Sequence, residues 1–272
     1  MYYSPTVILN NGVEMPIIGL GAYDMYGTQA EHAIVNAIEA GYRLIDTAAM
    51  YGNEKEVGIA VKNCGIPRKE IFITTKVNDP DQGFDKTMKA FEVSLKKLDM
   101  DYVDMYLIHW PLKGKRKETW KALERIYAEK KAQAIGVANY LVPFLEELKT
   151  YSEITPAANQ VEFTPYVFSK NLLDYCSKEQ IQLQAYSPIA RGHKNSDPKL
   201  LRLSEKYKRS PAQVMLRWCV QHHVAPIPKS VNVNRLKENI HIFDFEINRD
   251  DMDLLDTFNE DYRVAPDPIY ML

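Results

Sequence analysis

Four side chains that can handle protons follow short apolar segments in the first half of the chain. Asp46 and Tyr51 bracket the loop after one segment, Lys76 directly follows the next segment, and His109 directly follows the one after that. A carboxylate, an ammonium, a phenol and an imidazole placed together can polarise a carbonyl group and protonate its oxygen. No pairing of a nucleophile with a base, and no pair of carboxylates, points instead to hydrolysis.

The chemistry of these four side chains predicts a role for each. A free phenol has a pKa of about 10 and is a poor acid at neutral pH, whereas a nearby ammonium favours the phenolate and lowers that pKa. Lys76 can supply this charge to Tyr51, and Asp46 can keep the lysine charged and aimed. His109 can donate a hydrogen bond to the carbonyl oxygen, or help to protonate it.

A second group of polar residues lies in the last third of the chain. Lys229 and Ser230 follow the last apolar segment, and Arg235 comes early in the helical pattern after it. Ser, Lys and Arg at the start of a helix form a phosphate site, because the helix N-terminus and charge-assisted bonds act together. Gly19-Leu20-Gly21 begins a dinucleotide fingerprint, but Asp24 stands where the third glycine is required, so a Rossmann turn is excluded.

Eight short apolar segments recur along the chain, each followed by a helical pattern. The segments cover residues 17–21, 44–45, 71–75, 103–108, 134–137, 157–161, 181–185 and 224–227. The helical patterns cover residues 29–40, 54–63, 85–98, 117–130, 143–149, 169–178, 198–208, 211–222 and 233–240, with a last helix at 249–258. Short continuous apolar segments are typical of parallel strands covered on both faces. Eight such units predict an α/β fold, a closed (β/α)8 TIM barrel with extra helices, and the alternative is an open doubly wound sheet.

The arrangement of these units predicts where the candidate catalytic side chains lie in the barrel. Residues 7–16 precede the first unit and predict a β-hairpin, because Asn11-Gly12 favours a tight turn, and this hairpin is expected to plug the barrel bottom. No linker or shift in composition divides the chain, so residues 1–272 are predicted to form a single domain. Catalytic side chains of such barrels lie just past the carboxyl ends of the strands, where the proton-handling residues fall.

Composition excludes several classes of protein. The 272 residues are 46% hydrophobic and 26% charged, with a formal net charge of −2, which gives no general attraction to nucleic acid or to membranes. Cys64, Cys176 and Cys219 are too scattered to suggest a zinc site or a disulfide framework, so no metal is predicted. No apolar run is long enough to span a membrane, and residues 1–5 do not begin a secretory signal, so a cytoplasmic location is predicted.

Seven sequence motifs, spread along the chain, together match the pattern of a known protein family. They are Gly41-Tyr42-Arg43-Leu44-Ile45-Asp46-Thr47-Ala48 with Tyr51, Thr75-Lys76, Leu107-Ile108-His109-Trp110-Pro111, Ile135-Gly136-Val137-Ala138-Asn139, Gln160, Tyr186-Ser187-Pro188, and Ile227-Pro228-Lys229-Ser230-Val231 with Arg235 and Asn239. On these motifs the chain resembles the aldo-keto reductases over nearly its whole length. The resemblance implies a monomeric barrel enzyme that uses NADPH/NADP+ to reduce small-molecule aldehydes and ketones to alcohols, α-dicarbonyls and keto-sugars being possible substrates.

The resemblance also implies a role for particular residues. Tyr51 would be the general acid, Lys76 and Asp46 its tuning pair, and His109 the donor that orients the substrate. At the nicotinamide, the resemblance implies stacking on Tyr186 and hydrogen bonds from Asn139 and Gln160 to the carboxamide. At the other end of the cofactor, it implies that Lys229, Ser230 and Arg235 bind the 2′-phosphate and that Asn239 contacts the adenine. Further cofactor contacts are implied for Gly21, Ala22, Ser187, Ile189 and Val231.

Two features qualify the resemblance. The family usually has Ser before the Asn of Ala138-Asn139, so one hydrogen bond to the carboxamide is expected to be missing, at about 1 kcal/mol for a neutral bond. The loop after His109-Trp110 and the C-terminal tail are both short, which resembles a small microbial branch containing diketogluconate and glyoxal reductases and some prostaglandin F synthases. An open pocket is therefore expected, walled by Tyr23, Trp110 and the tail near Tyr270. The basic residues 113–117 lie in this loop and are expected to be solvated. The alternative is that they attract anionic substrates.

Two other functions are compatible with a barrel of this kind. A lyase could use Lys76 as a Schiff base, but that needs a neutral lysine and Asp46 would keep it charged. A catalytically silent NADPH-binding regulatory subunit is the second, since the family contains such proteins, although nothing in the four proton-handling residues suggests lost activity.

Overall fold

The computed structural model describes residues 5–271, and its strands and helices follow the periodicity of the sequence. The strands are β1 (Thr6–Ile8), β2 (Glu14–Pro16), β3 (Leu20–Gly21), β4 (Leu44–Asp46), β5 (Phe72–Val77), β6 (Val103–Ile108), β7 (Ala132–Ala138), β8 (Ala158–Glu162), β9 (Gln182–Tyr186) and β10 (Ala225–Ile227). The helices are α1 (Gly27–Ala40), α2 (Glu54–Asn63), α3 (Phe84–Leu98), α4 (Arg116–Ala128), α5 (Val142–Lys149), α6 (Lys170–Lys178), α7 (Pro198–Tyr207), α8 (Pro211–Gln221), α9 (Val233–Ile240) and α10 (Arg249–Asp256). Residues 1–4, part of the segment on which the absence of a secretory signal is argued, lie outside this range.

Strands β3 to β10 form one parallel sheet in chain order. The two ends of the sheet meet, because the Gly19 amide donates to the Pro226 carbonyl at 3.0 Å and the Gly21 amide donates to the Pro228 carbonyl at 3.1 Å. Glycine favours this close approach, since a Cβ at Gly21 would lie 3.0 Å from the Ile227 carbonyl oxygen and would push the two strand ends apart slightly. The (β/α)8 barrel is confirmed and the open doubly wound sheet is wrong.

Two apolar layers hold the barrel together. The larger lies between the outer faces of the strands and the helices, and includes the fully buried Trp120 and Trp218. The smaller fills the barrel interior with side chains such as Leu44, Met105 and Leu107. Burial of this kind supplies most of the stability of a fold and keeps the strand ends fixed relative to one another.

The N-terminal hairpin of β1 and β2 covers one end of the barrel interior. Its side chains Leu9 and Met15 belong to the inner apolar layer, as expected for a plug. Asn10 and Asn11 anchor the turn by donating to the carbonyls of Pro156 and Gln133, both at 2.9 Å. The hairpin therefore closes the bottom, and the opposite end remains for the site.

The predicted helix ends agree with the structure to within two residues, and the main difference lies in the first strand. Residues 17–21 were expected to form it, but only Leu20 and Gly21 do so. Ile17 instead continues the hairpin, with its amide donating to Pro5, and Gly19 pairs across the seam of the barrel. In the part of the chain that the structure describes, no helix is both long and apolar enough to cross a membrane.

Candidate active site

A cavity of about 610 Å³ runs across the carboxyl ends of the barrel strands. It is lined by Gly21, Tyr23, Asp24, Asp46, Met50, Tyr51, His109, Trp110, Asn139, Gln160, Tyr186, Ser187, Pro188, Ile189, Arg191, Gly192, Asn195, Ser210, Pro211, Ala212, Ile227, Lys229, Ser230, Val231, Asn232, Arg235, Glu238, Asn239, Val264, Ala265 and Pro266. One end of the cavity is aromatic and carries Asp46, Tyr51 and His109. The other end lies at the start of α9 and carries two cations.

Asp46 and Lys76 form a buried ion pair at the ends of β4 and β5. Lys76 Nζ donates to Asp46 Oδ1 at 2.6 Å and to the Thr47 carbonyl at 2.9 Å, and both side chains are almost inaccessible to solvent. Burial lowers the pKa of Lys76, and the Asp46 carboxylate opposes that shift. The second carboxylate oxygen accepts from Gln160 Nε2 at 2.8 Å. Both oxygens of Asp46 thus have one strong donor each.

Tyr51 lies on the short turn after β4, against both neighbouring groups. Lys76 Nζ is 5.1 Å from the centre of its ring, and the His109 ring meets it edge to face with the centres 5.7 Å apart. Burial raises the pKa of Tyr51 well above 10, and the charge of Asp46 raises it further. The net pKa of Tyr51 is therefore not lowered as expected, because burial outweighs the stabilisation that the Lys76 ammonium, itself bonded to Asp46, can give the phenolate. Tyr51 holds its proton throughout the neutral range.

A buried amide fixes the turn that carries Tyr51. Asn53 Nδ2 donates to the carbonyls of Ala22 and Met25 at 2.7 and 2.9 Å, and Asn53 Oδ1 accepts from Thr47 Oγ1 at 2.6 Å. The loop after β3, which presents Tyr23, is thereby tied to the loop after β4. Fully satisfied buried polar groups of this kind rigidify the segments they join.

His109 directly follows β6 and is a buried, neutral imidazole. Burial, and after it the charge of Lys76, lowers the pKa of His109 to about 3. Its Nδ1 has no hydrogen-bond partner among the described residues. A neutral imidazole can orient a carbonyl through one N–H, but it is not the proton source at neutral pH.

The lowered pKa of His109 predicts a specific loss of stability in acid. Below the unfolded-state pKa of about 6.5, the unfolded chain binds a proton that the folded chain does not, so the free energy of unfolding falls by up to about 1.4 kcal/mol per pH unit. This contribution is lost progressively as the pH decreases from about 6.5 towards 3. Urea denaturation of wild type and His109→Gln between about pH 4.5 and 7 measures it, and the variant should show the shallower dependence. Identical slopes would mean that His109 is not buried in its neutral form.

The middle of the cavity carries three polar side chains from neighbouring strands. Asn139 follows β7 with a left-handed backbone (φ 65°), which asparagine tolerates well. Its Nδ2 donates to the His109 carbonyl at 2.9 Å, and its Oδ1 accepts from the Tyr186 hydroxyl at 2.9 Å. Gln160 Nε2 donates to both Asp46 and Gln184 Oε1, so its own Oε1 is the atom left to accept a bond from a ligand. These side chains link the catalytic end to the rest of the cleft.

The far end of the cavity is built on the loop after β10 and the first turn of α9. Lys229 and Arg235 are exposed there and form no ion pair with a described residue, whereas Ser230 and Asn239 are buried. Asn232 caps the helix by accepting from the Arg235 amide at 3.1 Å. Two unpaired cations, a hydroxyl and a helix N-terminus suit a phosphate group.

The structure brings most of the sequence-predicted site residues into the lining of one cavity, and two of them lie outside that lining. Lys76 and Ala22 are fully buried behind it. The tail lines the cavity as expected, but through Val264, Ala265 and Pro266, whereas Tyr270 is 86% exposed and is not part of the wall.

The basic segment 113–117 is exposed to solvent as expected, except at Arg116. Arg116 is buried and forms a two-pronged ion pair with Glu147, at 2.6 and 3.1 Å. It also donates to the Pro111 carbonyl at 2.9 Å. The segment is therefore anchored at Arg116, and none of its residues lines the cavity.

Sequence reasoning missed several charged residues at the site, namely Asp24, Arg191 and Glu238 in the lining and Glu162 beside it. Glu162 ends β8, is nearly buried, and accepts from the amides of Val264 and Ala265 at 2.7 and 3.2 Å, so it holds the tail against the cavity. A carboxylate inside the apolar run Val161-Glu162-Phe163 was the available signal. Arg191 lines the cavity from the loop after β9, and its position gave no signal in the sequence.

The fold and the site define a (β/α)8 barrel with a cluster of titratable side chains at one end of a long cleft and exposed cations at the other. The Aldo/keto reductase family matches residues 18–260, and the chain belongs to this family of oxidoreductases. It is 50% identical to a glyoxal reductase of Bacillus subtilis (strain 168), over 98% of this chain and 97% of that protein. It is 44% identical to a 9,11-endoperoxide prostaglandin H2 reductase of Trypanosoma cruzi (strain CL Brener), over 96% and 94%.

A solved structure agrees with these relatives. The aldo-keto reductase of Bombyx mori in complex with NADP superposes with a TM-score of 0.91 at 34% identity, covering 98% of this chain and 96% of that chain. The resemblance seen in the sequence is therefore confirmed at the level of family and fold.

Proposed function

We propose that this enzyme reduces aldehydes and ketones to alcohols in the cytoplasm, α-dicarbonyl compounds and keto-sugars among them, with NADPH as the hydride donor and Tyr51 as the general acid. The observation that carries the proposal is the placement of Tyr51 in the cavity wall between the Lys76 ammonium and the His109 ring. The glyoxal and prostaglandin H2 reductases among the relatives support a carbonyl-reducing activity.

The residues of the cleft fit NADPH. The free Oε1 of Gln160 can accept from the carboxamide N–H of the nicotinamide, and Tyr186 offers an aromatic face beside it. Lys229, Ser230 and Arg235 match the charge of the 2′-phosphate, and the buried Asn239 amide lies next to them for the adenine. Ala138 offers no side-chain hydrogen bond, so the carboxamide is held by Asn139 and Gln160 without a third partner.

When bound, NADPH supplies the hydride to the carbonyl carbon. The side chains of this protein manage the oxygen. His109, neutral at working pH, donates a hydrogen bond to the oxygen and orients it. Tyr51 keeps its proton until negative charge develops on the oxygen, and the proton then moves to it because an alkoxide is a stronger base than a phenolate. The Lys76 ammonium, fixed by Asp46, stabilises the phenolate that remains.

The two alternative functions have less support. Lys76 Nζ is bonded to two oxygens and lies behind the cavity, so it is poorly placed to form a Schiff base. Mixing the protein with NADPH and glyoxal, or with an aromatic aldehyde, and following nicotinamide absorbance tests all three functions. Unchanged absorbance across a broad panel of carbonyl compounds would favour a regulatory subunit. Borohydride trapping of a substrate on Lys76 would favour the lyase.

Replacing Arg235 should separate NADPH from NADH. Arg235→Gln is expected to weaken NADPH binding by about 10- to 100-fold, the effect of losing one charge-assisted bond, and to change NADH binding little. Protein fluorescence during cofactor titration measures both dissociation constants. Lys237→Gln is the matched control, because it removes an exposed cation of α9 that does not line the cavity. Equal weakening for the two cofactors would remove Arg235 from the 2′-phosphate site.

A further inference from the structure

Arg191 stands at the aromatic end of the cavity. Its guanidinium carbon lies 5.6 Å from the centre of the Tyr23 ring, and the Tyr23 ring meets the Tyr51 ring edge to face with the centres 5.2 Å apart. All three side chains line the cavity. The guanidinium is therefore one aromatic ring away from the phenol that donates the proton, and it belongs to the end of the cleft where the carbonyl substrate reacts.

The charge of Arg191 is not used by the fold. Its side chain is exposed, and within residues 5–271 it forms no ion pair. The nearby Glu162 does not neutralise it by direct contact, because both oxygens of that carboxylate accept amides of the tail. Lys76, the other cation at this end, is already paired with Asp46.

The chemistry around Arg191 favours a flat anion. A guanidinium stacked on an aromatic face keeps the N–H groups of its edge free, and that edge matches a carboxylate with two parallel hydrogen bonds. Met50, Trp110, Val264 and Pro266 also line this end, carry no charge and suit the carbon skeleton between two polar groups, whereas Asp24, the neighbour of Tyr23 in the chain, adds one carboxylate to the lining.

We propose that Arg191 binds a carboxylate of the carbonyl substrate, and that the preferred substrates are aldehydes and ketones with a carboxylate several atoms from the reacting carbonyl. The guanidinium contacts the Tyr23 ring, and the phenol ring of Tyr51 is the next ring along, so a substrate that carries its carboxylate some atoms from the carbonyl matches the two groups better than a 2-oxo acid, in which they are adjacent. A carboxylate carried on a benzene ring or on a short chain spans the gap. This inference rests on the proposed function and assigns its substrate class.

A matched pair of substrates tests the proposal. 4-Carboxybenzaldehyde and its methyl ester, methyl 4-formylbenzoate, have the same reacting aldehyde and differ in one charge. We expect wild type to prefer the acid by about tenfold in kcat/KM, and Arg191→Met to reduce this ratio towards one. Arg191→Lys should retain part of the preference, since it keeps the charge but not the planar fork. Arg202→Met, which removes an exposed arginine of α7 outside the cavity, should leave the ratio unchanged.

Cofactor binding distinguishes the substrate from a second source of negative charge. The dissociation constant of NADPH, measured by fluorescence, should be similar in wild type and Arg191→Met. If Arg191→Met weakens NADPH binding and slows the acid and the ester equally, the guanidinium serves the cofactor diphosphate and the proposal is overturned. An unchanged acid-to-ester ratio in Arg191→Met overturns it as well. If wild type reduces neither aldehyde nor any other carbonyl compound, the proposed function fails first, and this inference with it.

Discussion

Tyr51→Phe is expected to lower kcat for carbonyl reduction by about 100- to 10,000-fold, the usual contribution of a positioned general acid. The phenol of Tyr51 is the proposed proton donor in the cavity wall, and His109 is not expected to replace it, because burial lowers the pKa of that imidazole and keeps it neutral at working pH. The dissociation constant of NADPH should stay close to the wild-type value, since the substitution removes one oxygen and keeps the ring. Stopped-flow reduction and cofactor titration measure the two quantities separately.

Tyr106→Phe is the matched control for this substitution. Tyr106 is fully buried on β6, outside the cavity, and its hydroxyl has no hydrogen-bond partner among the described residues. Removing that hydroxyl should leave activity within about twofold and stability unchanged or slightly higher. Near wild-type turnover by Tyr51→Phe would show that the proton comes from another group.

Lys76→Met should be the most destabilising of the substitutions considered. The lysine is completely buried with Asp46, and its removal leaves a buried carboxylate without its cation. Breaking a buried ion pair in this way costs about 3–5 kcal/mol of the free energy of unfolding. Urea denaturation measures the loss, and activity should fall at the same time because the phenolate of Tyr51 loses the charge beneath its ring.

The double variant Asp46→Asn with Lys76→Met separates stability from catalysis. It removes both charges, so much of the lost stability should return, because no unpaired ion remains in the interior. Activity should not return with it. Recovery of both would mean that the ion pair serves only the fold. A loss below about 1 kcal/mol in the single variant would contradict the buried pairing itself.

Much of this architecture follows from the chain alone, because its signals are local. Parallel strands covered on both faces are short apolar segments, so the barrel can be predicted from the sequence. Active-site side chains of such barrels follow the carboxyl ends of the strands, so the positions of Asp46, Lys76 and His109 can be predicted as well. The chemistry assigned to them was less secure. The pKa of Tyr51 depends on enclosure by distant segments, and the lysine charge that was expected to lower it is bonded to Asp46.

The features that sequence reasoning missed depend on contacts between distant segments. Arg116 looked like one of several solvated cations, but it meets Glu147 from α5 and is buried there. The tail residues that wall the cavity are fixed by Glu162, about a hundred residues earlier in the chain. Nothing in residues 261–272 distinguishes Val264 from Tyr270 as a wall residue.

The amide of Asn53 has a consequence for how the substrate range of such an enzyme can change. It joins the turn bearing Tyr51 to the loop bearing Tyr23, so the proposed proton donor and one wall of the pocket are held together as one rigid unit. A substitution that reshapes the pocket through either loop would therefore also disturb the position of the acid. The loop of Arg191 and the tail at Val264 come from other segments and lack that tie. Substitutions in these two segments can therefore change substrate selectivity without moving the loop that carries Tyr51.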